Sequence, residues 1–516
     1  MTPAADLPDD IDALKAIILA SQAKISEQDG IIERKEDRIV RLEKLLVDFR
    51  RALYGAKSEK SHPDQYHLAL EDIETAMAIV HAEDEAVDPP KTTGTPTPRA
   101  GRGVLPKHLP RIEEVIAPDD VTCGCGSARH IIGEDVSERL DIVPAQFRVI
   151  VTRRPKYACR SCEAGVLQAP TKPRLIEGGM PTEATVASVI VSKYADHIPL
   201  YRQAQIYARQ GVDIDRSTLA FWVGKAAHEL KPVHDALLGH LKRSSKLFMD
   251  ETPAPVLDPG RGKAKKGYFW ALARDDRSWN GPEPPGVAFT YAPGRSGKHA
   301  VEILQGFEGI LQVDGYAGYN RALDLRDNQP IQLAYCWAHA RRKLYELTHN
   351  NAAPIAEEGL KQIAALYRIE TQARGASADE RMAIRQQKSE PKIKAFRTWL
   401  DQARSQVSTK SPTGEALKYI AKYWDGLILF LGDGRIEMDS NPVERTIRPI
   451  ALQRKNALFA GHEAGAQNWA MLASLIETCK LNKIEPNGYL TGALTAIVNG
   501  HKQKDIDQLL PWNFVR

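Results

Sequence analysis

Apolar side chains return at every seventh position from Ile18 through Ile25, Ile32, Ile39, Leu46 and Leu53, with Leu14, Leu42 and Phe49 at the companion position. A seven-residue apolar repeat keeps one helical stripe facing a partner, so residues 1–60 are expected to supply a coiled coil that joins copies of the chain. Ser21, Gln28 and Lys35 hold the companion position in the middle. They weaken the seam there and leave the number of strands open. The plainer alternative, a long amphipathic helix packed on its own domain, fits less well with six unbroken repeats.

The pattern changes at residues 83–111, "EDEAVDPPKTTGTPTPRAGRGVLPKHLPR", where Pro, Thr, Gly and basic residues predict an extended linker. Residues 112–172 follow with two close cysteine pairs and a stretch, "RLDIVPAQFRVIVTRRPKYA", that alternates like strands of a small sheet. Residues 180–242 carry two helical patterns around Gly211, with Asp215 or Ser217 placed to cap the second. This is the spacing of a helix-turn-helix, whose second helix from about Thr218 would face a DNA groove, and equally that of a plain helical hairpin.

Strand-like runs then appear as "KLFMDETPAPVL", "GYFWALARDD", "GVAFTYA" and "GILQVDGYAGY", with the helical "GKHAVEILQGF" between the third and fourth. Three consecutive strands followed by a helix and a further strand predict a mixed α/β sheet within residues 243–465. After "CWAHARRKLYEL" the pattern is almost purely helical to Leu431, which predicts a helical insertion at about residues 345–430. "NWAMLASLIETCKL" reads as a buried helix opening a C-terminal helical region, residues 466–516. The expected class is multidomain α/β plus α.

Composition narrows the function. The 516 residues, 43% hydrophobic and 26% charged, exceed what one core can hold and exclude disorder or a fibrous repeat. A net charge of +4 is only mildly basic, so any nucleic-acid contact must come from local clusters. The start, "MTPAADLPDDIDALK", lacks the basic opening and apolar core of a secretory signal, and no run approaches the ~20 residues that span a bilayer. The expected location is the cytoplasm.

Cys123 and Cys125, with Cys159 and Cys162, can close a tetrahedral structural Zn²⁺ site; unmetallated buried thiols are the alternative. The second pair has the favoured two-residue spacing, whereas one residue between Cys123 and Cys125 is tight. Cys336 and His339, in "CWAH", are two further soft ligands, too few for a closed site, and packing is the simpler role. His339 can alternatively meet phosphate beside Arg341 and Arg342.

The carboxylates are more telling. Asp250 ends the apolar run "KLFM" and Asp314 ends "GILQV", which predicts two strand-end acids at a sheet rim. Adjacent carboxylates raise one another's pKa unless a cation lies between them, and hard oxygen ligands suit Mg²⁺ or Mn²⁺. Each acid has a bland reading: a turn at Asp314-Gly315, a solvated loop start at Asp250-Glu251, a capping box of Asn441, Pro442 and Glu444. Pro449 is expected to interrupt the helix that Glu444 opens. Asp439 and Glu444 precede Arg445, Arg448, Arg454 and Lys455, and acids that hold a metal over a phosphodiester need such basic surroundings. No G-x-x-x-x-G-K-[ST] loop for small-molecule phosphates is present.

"MDETPAPVL", "VDGYAGYN", "CWAHARRKL" and "DSNPVERTIRPIALQRKNALFAG" together resemble the transposases of the IS66 family of bacterial insertion sequences. The likeness extends from "RALYGAKSEK" and "LPKHLPR" to "IETCKLNKIEPNGYL" and covers most of the chain. It implies a DDE nuclease on an RNase H-like fold, with the triad on Asp250, Asp314 and Glu444 holding two Mg²⁺ or Mn²⁺ ions. It implies DNA as partner, both the terminal inverted repeats and the target. It also implies a homo-oligomer, possible accessory proteins of the same element, and a nucleoid-associated state on DNA. Two residues usually part the family's first cysteines; here Thr122 stands at the expected ligand position. A catalytically idle DNA-binding or regulatory protein on the same fold is the competing reading.

Overall fold

The computed structural model describes residues 10–54, 145–157, 167–258, 263–316, 318–320, 331–348, 353–457, 460 and 462–514. Cys123, Cys125, Cys159 and Cys162 and the 83–111 linker lie outside these residues. The chain divides into two units, residues 1–144 and 145–516.

In the first unit, helix α1 (Ile11–Tyr54) is continuous through the heptad segment. Ile18, Ile25, Ile32 and Ile39 each lie more than half exposed on it. A single copy therefore leaves these seam positions uncovered.

The second unit is built on a five-stranded sheet. Strands β1 (Lys156–Tyr157) and β2 (Leu167–Gln168) form a small antiparallel ribbon. Helices α2 (Glu183–Tyr194), α3 (Leu200–Arg209) and α4 (Arg216–Lys242) come next. Gly211 takes a φ of 78° in the α3–α4 turn, a left-handed backbone that glycine adopts without a Cβ penalty. Asp215 caps α4 by accepting from the Ser217 N–H at 2.7 Å. Most of α4 is committed to the core through Leu219, Trp222, Ala226, Leu230, Leu237 and Leu241, while Arg216, Ser217 and Phe221 of its first turns face outward.

Strands β3 (Lys246–Asp258), β4 (Lys263–Arg274) and β5 (Gly286–Ala292) form an antiparallel meander. Helix α5 (Gly297–Ile303) leads to β6 (Gly309–Val313), parallel to β3, and β7 (Ile331–Tyr335) lies parallel to β6. The sheet order is β5-β4-β3-β6-β7. The fifth strand, "IQLAY", is absent from the sequence reading: five residues between a turn and a helix carry too little periodicity to separate strand from helix. Strand β5 is an edge. Its outward N–H groups at Val287 and Phe289 donate to the hydroxyls of Thr478 (3.1 Å) and Ser474 (2.7 Å) on the helix laid against it, so the edge is closed to further pairing.

After β7 come α6 (Trp337–Tyr345), α7 (Pro354–Ala373), α8 (Ala378–Ile384), α9 (Glu390–Gln406), α10 (Pro412–Lys422) and α11 (Trp424–Ile428). They share a core of their own around Trp337, Phe396, Leu400, Leu417 and Trp424. Helix α12 (Asn441–Ala457) then returns to β3 and β4, α13 (Glu463–Leu481) packs on β5, and α14 (Pro486–Val498) packs on α2. Pro449 does not interrupt α12, which runs through it. The proline forfeits one backbone bond, while Val443, Thr446, Ile450 and Gln453 bury one continuous face across it and hold both halves in line.

Candidate active site

Asp250 is not at a strand end. β3 continues for eight residues beyond it, paired with β4, and what stops here is the parallel pairing with β6. Lys246 pairs with Ile310 and Phe248 with Gln312, and the same offset sets Asp250 beside Asp314, the residue following β6. The Asp314 carboxylate accepts the Tyr316 N–H at 2.9 Å, and that of Asp250 accepts the Glu251 N–H at 2.8 Å. Burial pushes the Asp250 carboxyl well above its ordinary range, and the charges of Glu251, Asp314 and Glu444 push the same way.

Glu251 is buried, which sets aside the alternative of a solvated loop start at Asp250-Glu251. Burial raises its carboxyl, while Tyr319 opposes this by donating its hydroxyl at 2.5 Å and Arg295 by pairing at 2.5 Å. The Arg295 guanidinium lies 3.9 Å from the centre of the Tyr316 ring, so both tyrosines of "DGYAGY" engage the Glu251–Arg295 pair next to Asp250. A Cβ at Gly315 would meet the Tyr419 hydroxyl at 2.3 Å, and the Gly315 carbonyl accepts the Tyr423 hydroxyl at 2.7 Å. The turn carrying Asp314 is thus held by the helical insertion.

Glu444 arrives by a separate route. Gln312, buried on β6, takes both backbone groups of Glu437, donating to its carbonyl and accepting its N–H, each at 2.9 Å. The Trp337 N–H donates to the Met438 carbonyl at 2.8 Å, and the Ser440 N–H to Cys336 Sγ at 3.2 Å. Residues 437–440 are pinned between β6 and the start of α6, and α12 begins directly after. Burial works to raise the Glu437 carboxyl, but the Arg381 guanidinium at 2.9 Å outweighs it and holds the group below its ordinary range. The capping box of Asn441, Pro442 and Glu444, the alternative reading of this acid, is not formed: the Ser440 carbonyl accepts from Val443 and Glu444, and the Ser440 hydroxyl donates to the Glu444 carboxylate at 3.0 Å. The hydroxyl is used to aim the acid rather than to cap the helix.

His339 Nδ1 lies 3.9 Å from Glu444 Oε1. Burial pushes the neighbouring Cys336 thiol up to about 12, which keeps it protonated at neutral pH in the absence of a cation. Arg341 lies over the Tyr345 ring, and both Arg341 and Arg342 are half-buried.

The basic residues of α12 separate into two groups. At 100° per residue, Glu444, Arg448 and Lys455 fall within about 40° of one another, with Arg445 at the margin of the same stripe. Arg445, Arg448 and Lys455 are exposed. Arg454 instead donates to the Pro253 carbonyl on β3 and is half-buried. Of the residues missed from sequence, Gln312 carried a usable signal, a polar residue inside the apolar run "GILQV"; Arg295 and Ser440 carried none.

The acids offer oxygen alone, and their unrelieved repulsion at Asp250 is what a divalent cation removes, so the donor set fits Mg²⁺ or Mn²⁺. No helix among the described residues is long and apolar enough to cross a membrane.

Comparison with known proteins agrees along the chain. Residues 41–113 match the description "Transposase C of IS166 homeodomain", residues 120–163 the "zinc-finger binding domain of transposase IS66", and residues 474–512 the "IS66 C-terminal element". Two relatives from Sinorhizobium fredii (strain NBRC 101917 / NGR234), the uncharacterized proteins y4qI and y4jD, are each 42% identical. The first match covers 99% of this chain and 98% of the relative, the second 93% and 97%. The sheet, the pinned 437–440 segment and α12 all fall within residues 178–468, which match the description "Transposase IS66 family", and the chain belongs to that family.

Proposed function

We propose that this transposase cuts and joins DNA at Asp250, Asp314 and Glu444, on a sheet of the RNase H-like kind. The strand order supports the fold reading: an antiparallel meander extended on one side by two parallel strands. One observation carries the site reading, namely that the charges of Asp314 and Glu444 both bear on buried Asp250 although residues 315–443 separate the two in sequence.

Two divalent ions, Mg²⁺ or Mn²⁺, held by these carboxylates would supply activation of the attacking oxygen and neutralisation of the leaving oxygen. Asp250 within β3 and Asp314 just past β6 would hold these ions without reorganising. Glu444, aimed by Ser440, would complete the ligand set. Arg445, Arg448 and Lys455 grip phosphates along the strand leading to the site, while Arg454 keeps α12 on β3. Water attacks first and frees a 3′ hydroxyl at the element end. That hydroxyl then attacks the target phosphodiester and displaces its 3′ oxygen, so no covalent enzyme intermediate is required.

The exposed seam of α1 supports joining of copies, and the outward first turns of α4 are the part of that helix able to reach DNA. Cys123, Cys125, Cys159 and Cys162 would hold the Zn²⁺ of the zinc-finger region.

The test is cleavage of a duplex carrying the element's terminal inverted repeat. Asp250→Asn, Asp314→Asn and Glu444→Gln should each retain binding and lose Mg²⁺-dependent cleavage by about a thousandfold or more. Cleavage retained in any one variant refutes that acid's role. Salt-sensitive binding by the parent protein with no cleavage would favour the idle DNA-binding protein instead.

A further inference from the structure

We propose that Cys336, His339 and Glu444 form a second metal site, one that takes a borderline divalent cation such as Zn²⁺ and shares Glu444 with the acidic cluster. The sharing rests on the role given to Glu444 above; the site itself does not.

The ligand atoms of the three residues all lie within 4.8 Å of one another. The His339 Nδ1 to Glu444 Oε1 separation of 3.9 Å lies about half an ångström outside the N···O edge of about 3.3–3.5 Å implied by Zn–N and Zn–O bonds of about 2.0–2.2 Å in a tetrahedron. A small closing movement of two side chains completes it. His339 Nδ1 is itself buried and has no hydrogen-bond partner among the described residues. A buried ring nitrogen facing a carboxylate and a thiol calls for a partner, and a cation bound by all three groups would supply it. The Ser440 N–H already points at Cys336 Sγ from 3.2 Å, the outer contact that steadies a metal thiolate.

The backbone is set without any ion. Cys336 precedes α6, His339 lies in its first turn and Glu444 lies in the first turn of α12. The two helix starts are joined through Trp337, whose N–H reaches Met438 and whose indole N–H reaches the Leu427 carbonyl, each at 2.8 Å.

Donor chemistry separates the two sites. Sulfur, nitrogen and a single carboxylate suit Zn²⁺ and leave a fourth position for water, whereas the oxygen-only cluster suits Mg²⁺ or Mn²⁺. Glu444 belongs to both. An ion held by the thiolate and imidazole draws this carboxylate away from Asp250, so zinc and Mg²⁺-dependent cleavage are antagonists.

Cobalt(II) tests this in the full-length protein, because its thiolate complexes absorb through a charge-transfer band. The four module cysteines contribute their own signal, so the comparison is between the parent chain, Cys336→Ser and His339→Gln. His339 is half-buried on a helix surface and its substitution leaves the core intact, which guards against a folding artefact at Cys336. The parent should bind one cobalt more than either variant, with the weaker band lost, and Glu444→Gln should weaken that extra ion by about tenfold or more. Equal stoichiometry and equal bands in all proteins overturn the site. Asp250→Asn should keep the extra cobalt while losing cleavage. An Asp250→Asn protein that still cleaves would instead overturn the catalytic reading and leave the cobalt count to judge this site alone. Finally, zinc added to a Mg²⁺ reaction should slow the parent, relative to its own rate, more than it slows His339→Gln; equal slowing overturns the antagonism.

Discussion

Asp250 and Asp314 occupy matching positions on neighbouring parallel strands, one inside β3 and the other just past the end of β6. Their spacing is therefore set by sheet geometry, roughly 4.8 Å between strands, and not by side-chain choice. Two acids so fixed cannot separate to relieve their repulsion.

The first prediction concerns stability without metal. Burial and like charge raise the Asp250 carboxyl in the folded state. Such a group favours the fold while protonated, so its contribution is present below the ordinary carboxylate range and is lost as pH climbs through the raised value. In chelator, the parent protein should lose melting temperature across that window, and Asp250→Asn should melt higher than the parent at neutral pH. Mg²⁺ should restore the parent and leave Asp250→Asn unmoved. Thermal melts over a pH series decide it; an Asp250→Asn protein that melts lower in chelator contradicts the account.

A second prediction follows from Gln312. Its replacement by Leu leaves the N–H and carbonyl of Glu437 buried without partners, a loss of about 1–3 kcal/mol for each group. Glu444 loses its alignment before the protein unfolds. Cleavage at saturating DNA should fall at least about tenfold while DNA affinity stays near that of the parent, measured by single-turnover kinetics beside binding.

Gly315→Ala tests the same alignment from the other side. A methyl group there collides with the Tyr419 side chain and displaces the turn behind Asp314. Cleavage should collapse, and shortening Tyr419 to Leu in the same chain should recover part of it.

Arg381 is buried between Glu437 at 2.9 Å and Glu370 at 3.6 Å. Arg381→Leu strands Glu437 in the interior, whereas Glu370 keeps its Arg385 pair at 2.7 Å, and the change should cost about 3–5 kcal/mol, read by chemical denaturation. A neutral result would mean that Glu437 finds water.

The α12 cations should divide by exposure. Arg448→Ala and Lys455→Ala should each weaken binding evenly across DNA sequences and reduce the salt slope by about one. Arg454→Ala should lower stability and leave the slope nearly unchanged, because its guanidinium is bonded to the Pro253 carbonyl.

Legibility in the sequence followed length and local chemistry. The long helical insertion announces itself by period, and Asp314 by standing at the end of a short apolar run. Strand β7 does not, because five residues ahead of "CWAH" blend into the helix that follows. Pro449 breaks the local rule but not the helix, since packing of Ile450 and its neighbours offsets the roughly 3 kcal/mol that a lost bond and a ring clash together cost. Ser440 gives no local sign of its role, because a serine ahead of a helix can cap the backbone or aim a carboxylate, and only the position of Glu444 tells the two apart. The closeness of Cys336, His339 and Glu444 is a tertiary event across the whole insertion, invisible to any window of sequence.

The late place of Glu444 also has a consequence during synthesis. A ribosome finishes β3 and β6 long before it reaches α12, so a nascent or prematurely stopped polypeptide carries Asp250 and Asp314 without Glu444. On the triad proposed above, DNA cleavage is thereby confined to chains that have been translated through their helical insertion.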